Sequence, residues 1–225
     1  MIQQPQISNN DKEKLEVIYR NANRMNYLIN ELLTFSKIEM KQMHISVRKG
    51  DIMHFLEELS HIFDIVAGER EIDFIVSLED TKEEVWFSPS KLERILYNLL
   101  SNAFKYTQPG GYVRLSAKLI KEEKETMVQI SVKDSGRGIP KDVQEQIFES
   151  YYQVEKRDHR EGFGLGLSLT RSLIHMHKGE IRVESEVNKG SDFIVTLNVS
   201  EDAYAPDERS SENITTEEIQ KYNQR

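Results

Sequence analysis

With 225 residues, the chain has room for one good-sized domain and an appendage, since domains run to about 100–200 residues, and 38% hydrophobic with 30% charged content supports one core under a charged surface. A formal net charge of −8 argues against a nucleic-acid binder, which grips phosphates through clustered Lys and Arg. Zero cysteines exclude disulfides, thiolate metal sites and cysteine nucleophiles and fit a reducing, cytoplasmic setting; no stretch nears the roughly 18 apolar residues of a membrane span, and the polar start lacks a signal-peptide centre.

After that start, Leu15, Ile18, Ala22, Met25, Ile29 and Leu32 recur at alternating steps of three and four, the seam of a long helix in a bundle. Leu28, Leu33 and Phe35 widen the stripe, which suits a multi-helix bundle better than a two-stranded zipper. A helix folded back on its own domain is the alternative. The pattern breaks at Lys41, passes Gly50 and resumes as a second helix with Ile52, Phe55, Leu56, Leu59, Ile62 and Phe63 on one side.

Then the period changes. Ile72, Phe74 and Val76 alternate with polar neighbours, Val85 to Phe87 is strand-like, and further strands fall at Val113 to Leu119, Val128 to Val132, Ile181 to Val187 and Phe193 to Val199. Strands and helices in this order predict an α/β fold, a two-layer sandwich with helices on one face of the sheet. The tail from Ser200 is polar and acidic, with a short helix near its end, and reads as a linker.

Ser88 and Pro89 open the most informative helix, Ser88 as N-cap and Pro89 at the first helical position, where a missing N–H costs nothing. It is predicted to run to about Tyr106. Leu92, Ile95, Leu96, Leu99, Leu100 and Ala103 form its apolar side, while Lys91, Arg94, Asn98, Asn102 and Lys105 line the other. Asparagine in a helix interior costs about a few tenths of a kcal/mol, so two of them one turn apart want a reason. An amide oxygen is a hard neutral ligand suited to a Mg²⁺ ion also held by phosphates; an ordinary solvated face would look the same.

Asp134-Ser-Gly136-Arg-Gly138-Ile-Pro140 follows directly on an alternating strand. Its glycines let the backbone turn sharply and approach a ligand, and its Asp can accept from an exocyclic amine such as that of adenine. Alone, the pattern is equally an ordinary turn. Gly162-Phe163-Gly164-Leu165-Gly166 opens a helix carrying Leu169, Leu173 and Ile174, and glycines at a helix start expose N–H groups at its positive end, a site for phosphate. It is neither a dinucleotide fingerprint nor a Gly-x4-Gly-Lys loop. Between the two glycine runs, Gln153 to Glu161 is charged and poor in apolar residues, as a lid over phosphates or a plain exposed loop would be.

Together Asn98-Leu-Leu-Ser-Asn102-Ala-Phe-Lys105-Tyr106-Thr107, Asp134 to Pro140, Phe148-Glu149 and Gly162 to Gly166 resemble the N, G1, F and G2 boxes of sensor histidine kinases, in that order. Leu28 to Glu39 is similar to the end of the second helix of that family's dimerisation domain. The resemblance implies the fold shared with gyrase, HSP90 and MutL ATPases, a mixed, mostly antiparallel sheet covered by helices on one face and preceded here by a long bundle helix. It divides the chain into residues 1–43 as the bundle helix, 44–200 as the catalytic ATP-binding domain and 201–225 as the acidic linker.

By the same resemblance Asn102 would bind Mg²⁺, Asn98 and Lys105 would lie beside the phosphates as the catalytic pair, and Tyr106 would lie near the nucleotide. Asp134 would recognise adenine, and Gly136, Gly138, Gly162, Phe163, Gly164, Leu165 and Gly166 would bring backbone and lid to ATP. Related hydrolases place a glutamate where Asn98 stands; an amide cannot act as general base at neutral pH, so transfer to a side chain is favoured over attack by water. Implied partners are the phosphoacceptor helix of the chain's own dimerisation domain, a second copy in a homodimer, and a response regulator receiver domain, with no nucleic acid. The chain would be the cytoplasmic portion of a parent sensor anchored in the membrane.

Three departures stand out. None of His44, His54, His61, His159, His175 and His177 sits in the family's acceptor motif, so the acceptor is expected on a helix preceding Met1 and self-phosphorylation is not expected. Serines stand at 88 and 90 where the family often has Asp. Gln153 occupies a position that is often basic, which Arg157 or Arg160 could replace. The remaining histidines read as structural or solvent-facing, with His175 and His177 at a helix end that favours a cation. Two other readings stay open: a nucleotide-binding signalling module without chemistry, and a serine kinase of the anti-sigma type.

Overall fold

The computed structural model describes residues 9–40, 42–152 and 164–221. The first helix, α1 (Asn9–Glu39), spans 31 residues. Its seam residues Leu15, Ile18, Met25, Ile29 and Leu32 are 49–64% exposed, so the stripe does not fold back onto the domain. Among its described side chains, those of the last turns dock. Glu31 and Thr34 are buried, Phe35 meets Tyr151 edge-on at 6.0 Å between ring centres, and Ile38 rests on the core. The side chain of Leu28, assigned to the same stripe, lies outside the described residues.

Among the described residues seven strands follow: β1 (Arg48–Asp51), β2 (Asp73–Leu78), β3 (Glu84–Phe87), β4 (Tyr112–Lys121), β5 (Thr126–Asp134), β6 (Glu180–Glu186) and β7 (Gly190–Asn198). Five form the main sheet in the order β2-β4-β5-β7-β6, with β2 and β4 parallel and the other pairs antiparallel; β1 and β3 make a separate antiparallel ribbon. Helices α2 (Ile52–Ser60), α3 (Ile62–Arg70), α4 (Pro89–Tyr106) and α5 (Gly166–Met176) pack on the sheet, and a short α6 (Thr216–Gln220) closes the chain. This is the expected two-layer α/β sandwich. Among the described residues no helix is long and apolar enough to cross a membrane.

The elements form where period and caps coincide. Asp51 caps α2 by accepting the His54 N–H at 3.0 Å, and its apolar stripe buries Ile52, Phe55, Leu56 and Leu59. The single helix expected through Phe63 is two. The Ser60 hydroxyl donates to the Glu57 carbonyl at 2.7 Å, diverting an acceptor from the helix ladder just before the break at His61. The α4 stripe Leu92, Ile95, Leu96, Leu99 and Leu100 is at most 1% exposed and faces the sheet, joined by Phe104, which stacks on Phe63 with 5.5 Å between ring centres.

The segment expected as a linker is instead a strap. Tyr204, Ile214 and Ile219 are buried, and residues 208–214 run beside β1: the Val47 N–H donates to the Glu208 carbonyl, the Ser210 N–H to the Val47 carbonyl and the Ile214 N–H to the Lys49 carbonyl, at 2.8–2.9 Å. Ile214 covers Gly50, where a Cβ would stand 2.8 Å from the isoleucine's own Cβ. Arg48 grips Glu218 with both terminal nitrogens at 2.6 Å, and the same guanidinium holds the Glu218 carboxyl below its ordinary range. Residues 222–225 lie outside the described part.

Candidate functional site

Helix α4 carries the two asparagines, and its surroundings differ from a solvated face. Arg94 donates to the Thr34 hydroxyl of α1 at 2.7 Å, Lys91 is half-buried with burial drawing its ammonium below the usual lysine range, and Asn98 is only 9% exposed. The Asn98 amide packs on the first turn of α5: its Nδ2 donates to the Thr170 hydroxyl at 2.7 Å, and its Oδ1 would lie 2.6 Å from a Cβ at Gly166. A side chain there would push that amide aside. One turn on, Asn102 is half-exposed, and among the described residues no group bonds to its amide.

At the end of α4, the Lys105 ammonium and the Arg137 guanidinium lie 4.8 and 4.7 Å from the centre of the Tyr106 ring, both within cation–π range. The backbone of Tyr106 meets the turn after β5, where a Cβ at Gly136 would stand 2.6 Å from the Tyr106 carbonyl oxygen. Asp134 ends β5 buried, with Oδ1 accepting the Gly136 N–H at 2.8 Å. Burial pushes its carboxyl above the ordinary range, partly offset by N–H bonds from Gly136 and Ser191. Gly138 has φ +67° and faces the Glu186 carbonyl, which a Cβ would strike; the turn after β5 demands glycine there.

On the opposite rim, the Tyr151 N–H donates to the Gly164 carbonyl at 2.9 Å, and Leu165, buried, precedes the first residue of α5, Gly166. Phe148 is buried under α5 against Phe193. Gly162, Phe163, and the lid positions Gln153, Arg157, His159 and Arg160 lie outside the described residues. Asn98, Asn102, Lys105, Tyr106, Asp134, Gly136, Gly138, Gly164, Leu165 and Gly166 thus fall on three neighbouring pieces: α4, the turn after β5 and the start of α5. A cleft of about 280 Å³ opens at Asn98, Gly166 and Thr170 and reaches Glu31 of α1.

Ser88 stands at the N-cap of α4, but its hydroxyl makes no capping bond. Its N–H donates instead to Nε2 of His177 at 3.2 Å, while Nδ1–H of His177 donates to the Leu173 carbonyl at 2.9 Å. His177 is fully buried. Both ring nitrogens are committed, so the imidazole is neutral and the helix-end cation expected here is absent; burial, with Lys91 nearby, lowers its pKa to about 4. Tyr204 of the strap closes the cluster, donating to the Asn198 carbonyl at 2.5 Å, and its hydroxyl is strongly resistant to ionisation through burial.

An unfolded histidine takes a proton near pH 6.5 and this one near 4, so stability falls as pH drops through that window and is untouched above it. At pH 5 the loss from this group is about 2 kcal/mol. Urea midpoints of the protein at pH 7.5 and 5 should show that loss, and His177→Gln, whose amide oxygen can still accept the Ser88 N–H, should remove most of it; an unchanged slope in the variant would assign the effect to other groups.

Residues 87–201 match the family described as histidine kinase-, DNA gyrase B-, and HSP90-like ATPase. Histidine kinase P4 of Formosa agariphila is 33% identical over 223 residues, covering 95% of this chain and 16% of that protein. Sensor histidine kinase WalK of Bacillus subtilis is 34% identical over 190 residues, covering 84% of this chain and 31% of that protein. The chain therefore spans less than a third of the length of either relative. Among solved structures, full-length ShkA in complex with AMPPNP superposes with a TM-score of 0.75 at 23% identity, over 87% of this chain and 40% of that one. The matched region runs from the last residue of β3 past the end of β7 and holds every proposed ligand-facing residue, so the chain belongs to the histidine kinase-, DNA gyrase B- and HSP90-like ATPase family.

Proposed function

We propose that this chain binds Mg²⁺·ATP between α4, the turn after β5 and the start of α5, and donates the γ-phosphoryl group to a histidine on a bundle helix. The observation that carries this is the packing of the Asn98 amide on Gly166 at the start of α5, beside a cleft that reaches Glu31 of α1 but is lined by none of Asn102, Tyr106 and Asp134.

Asp134 accepts from the adenine amine with the carboxylate oxygen not spent on Gly136, and Tyr106 flanks the base. The N–H groups at the start of α5 hold phosphate oxygens at the positive end of that helix, and Lys105 neutralises charge; Gly162 and Phe163, assigned to the nucleotide by the resemblance, lie outside the described residues. Asn102 fits a metal that arrives on the nucleotide: its amide oxygen is a hard donor, and among the described residues no cluster of three carboxylates or histidines competes for the ion. Bound there, Mg²⁺ supplies charge neutralisation across the phosphates. Asn98 offers no base to activate water, so the phosphoryl group waits for a nucleophilic imidazole.

Residues 1–43 serve as the bundle helix, which pairs with the acceptor helix and with a second copy of the chain; residues 44–221 form the catalytic unit, strap included; a response regulator receiver domain takes the phosphoryl group onward. ATP titration with and without Mg²⁺, followed by addition of an acceptor-helix polypeptide, tests the reading. Metal-dependent affinity and acid-labile phosphate on the acceptor are expected. Acid-stable phosphate would indicate a serine kinase instead, and no affinity for adenine nucleotides under any metal condition would remove the assignment.

A further inference from the structure

Thr170 lies one turn into α5 and is 1% exposed. The hydroxyl accepts from Asn98 Nδ2 at 2.7 Å. No other hydrogen bond of the Asn98 side chain exists among the described residues. A side-chain amide has two N–H donors and one carbonyl oxygen. With one N–H committed to Thr170, the plane of the group is fixed, and Oδ1 stays against Gly166 at the positive end of α5. The second N–H is left for a ligand oxygen.

We propose that Thr170 is a positioning residue for phosphoryl transfer, orienting the Asn98 amide toward the γ-phosphoryl group; this rests on the nucleotide reading above. The physical case is one of position. The bond to Thr170 is the one hydrogen bond of the Asn98 side chain among the described residues, and an amide without it is held by packing alone and leaves the observed orientation more readily. A hydroxyl both donates and accepts, so Thr170 fixes where the amide lies, while the positive end of α5 beside Oδ1 favours the oxygen on that side. Valine has the same shape without the hydroxyl and leaves a buried N–H without a partner. Serine keeps the hydroxyl.

The test uses this chain with Mg²⁺·ATP and a separate acceptor-helix polypeptide. Thr170→Val should lower the maximal transfer rate roughly tenfold, the scale of a misaligned catalytic contact, with KM for ATP within about twofold. Thr170→Ser should restore most of the rate. In an Asn98→Ala background, Thr170→Val should change the rate by less than about twofold, because the group it orients is gone. Full transfer by Thr170→Val, or an equal loss in both backgrounds, overturns the positioning role. In the unsubstituted chain the Asn98 side-chain amide protons should exchange slowly with solvent; fast exchange overturns the proposal independently of how any variant folds. An unsubstituted chain that binds ATP but transfers nothing overturns the kinase reading and this role with it, whereas normal transfer with an indifferent Thr170 overturns this role alone.

Discussion

Asn102→Ala is expected to cut Mg²⁺-dependent phosphoryl transfer by at least about 100-fold, near 3 kcal/mol of transition-state stabilisation, while leaving the fold slightly more stable. The two halves of that result have separate causes. The Asn102 amide is half-exposed and without a hydrogen-bonding partner among the described residues, so its removal breaks nothing in the folded domain. Alanine is also the better helix former, by about a few tenths of a kcal/mol. The activity loss follows if the amide oxygen is the chain's own ligand to the metal carried by ATP. Asn102→Asp should also lose transfer, since a carboxylate added beside the phosphates repels them. Transfer rates together with urea midpoints decide the matter: normal Mg²⁺-dependent transfer in Asn102→Ala would strike out the metal assignment, and a large fall in midpoint would recast the residue as structural.

The second large effect lies far from the chemistry. Ending the chain after Ser200 should unfold the domain or lower its stability by about 5 kcal/mol or more. Ile214 and Ile219 are buried at 6% and 1% exposure, and losing a buried isoleucine typically costs about 2–5 kcal/mol. Tyr204 adds its ring and the bond to Asn198. A domain commonly has about 5–15 kcal/mol in total, so the sum is of the same order as the whole. The ion pair is the lesser part: Arg48 and Glu218 keep 21% and 34% of their side-chain surface exposed, and Glu218→Gln should cost no more than about 1 kcal/mol. Denaturant unfolding of the shortened chain, Ile219→Ala and Glu218→Gln gives the ranking. A shortened chain with an unchanged midpoint would reduce the strap to ornament.

The two effects mark which parts of the molecule are legible in its residues. Helix α4 is legible because period, cap and Pro89 agree, and β4, β5 and β7 are legible because alternation survives in them. Asn102 stands out through residue chemistry, as an amide in a helix interior. What escaped was tertiary. The strand Arg48-Lys-Gly-Asp has no alternation, and its one buried position is a glycine under Ile214. The strap has three anchors, Tyr204, Ile214 and Ile219, too widely spaced to show a period. Asn98 reads as surface because it lies on the polar side of its helix, yet α5 covers it. His177 reads as a helix-end cation, and only the Ser88 N–H arriving from 89 residues away makes it a buried neutral acceptor. Thr170, among Leu169, Leu173 and Ile174, carries no pattern that would separate it from a core position.

The Arg48–Glu218 grip joins residues 170 positions apart, and the strap completes an edge begun by the first strand of the domain. During synthesis that edge waits, half-made, until residues 208–218 have been translated. A chain that lacks residues 208–218 therefore leaves its first strand without a neighbour on that side, and it yields material for proteases rather than a weakened domain.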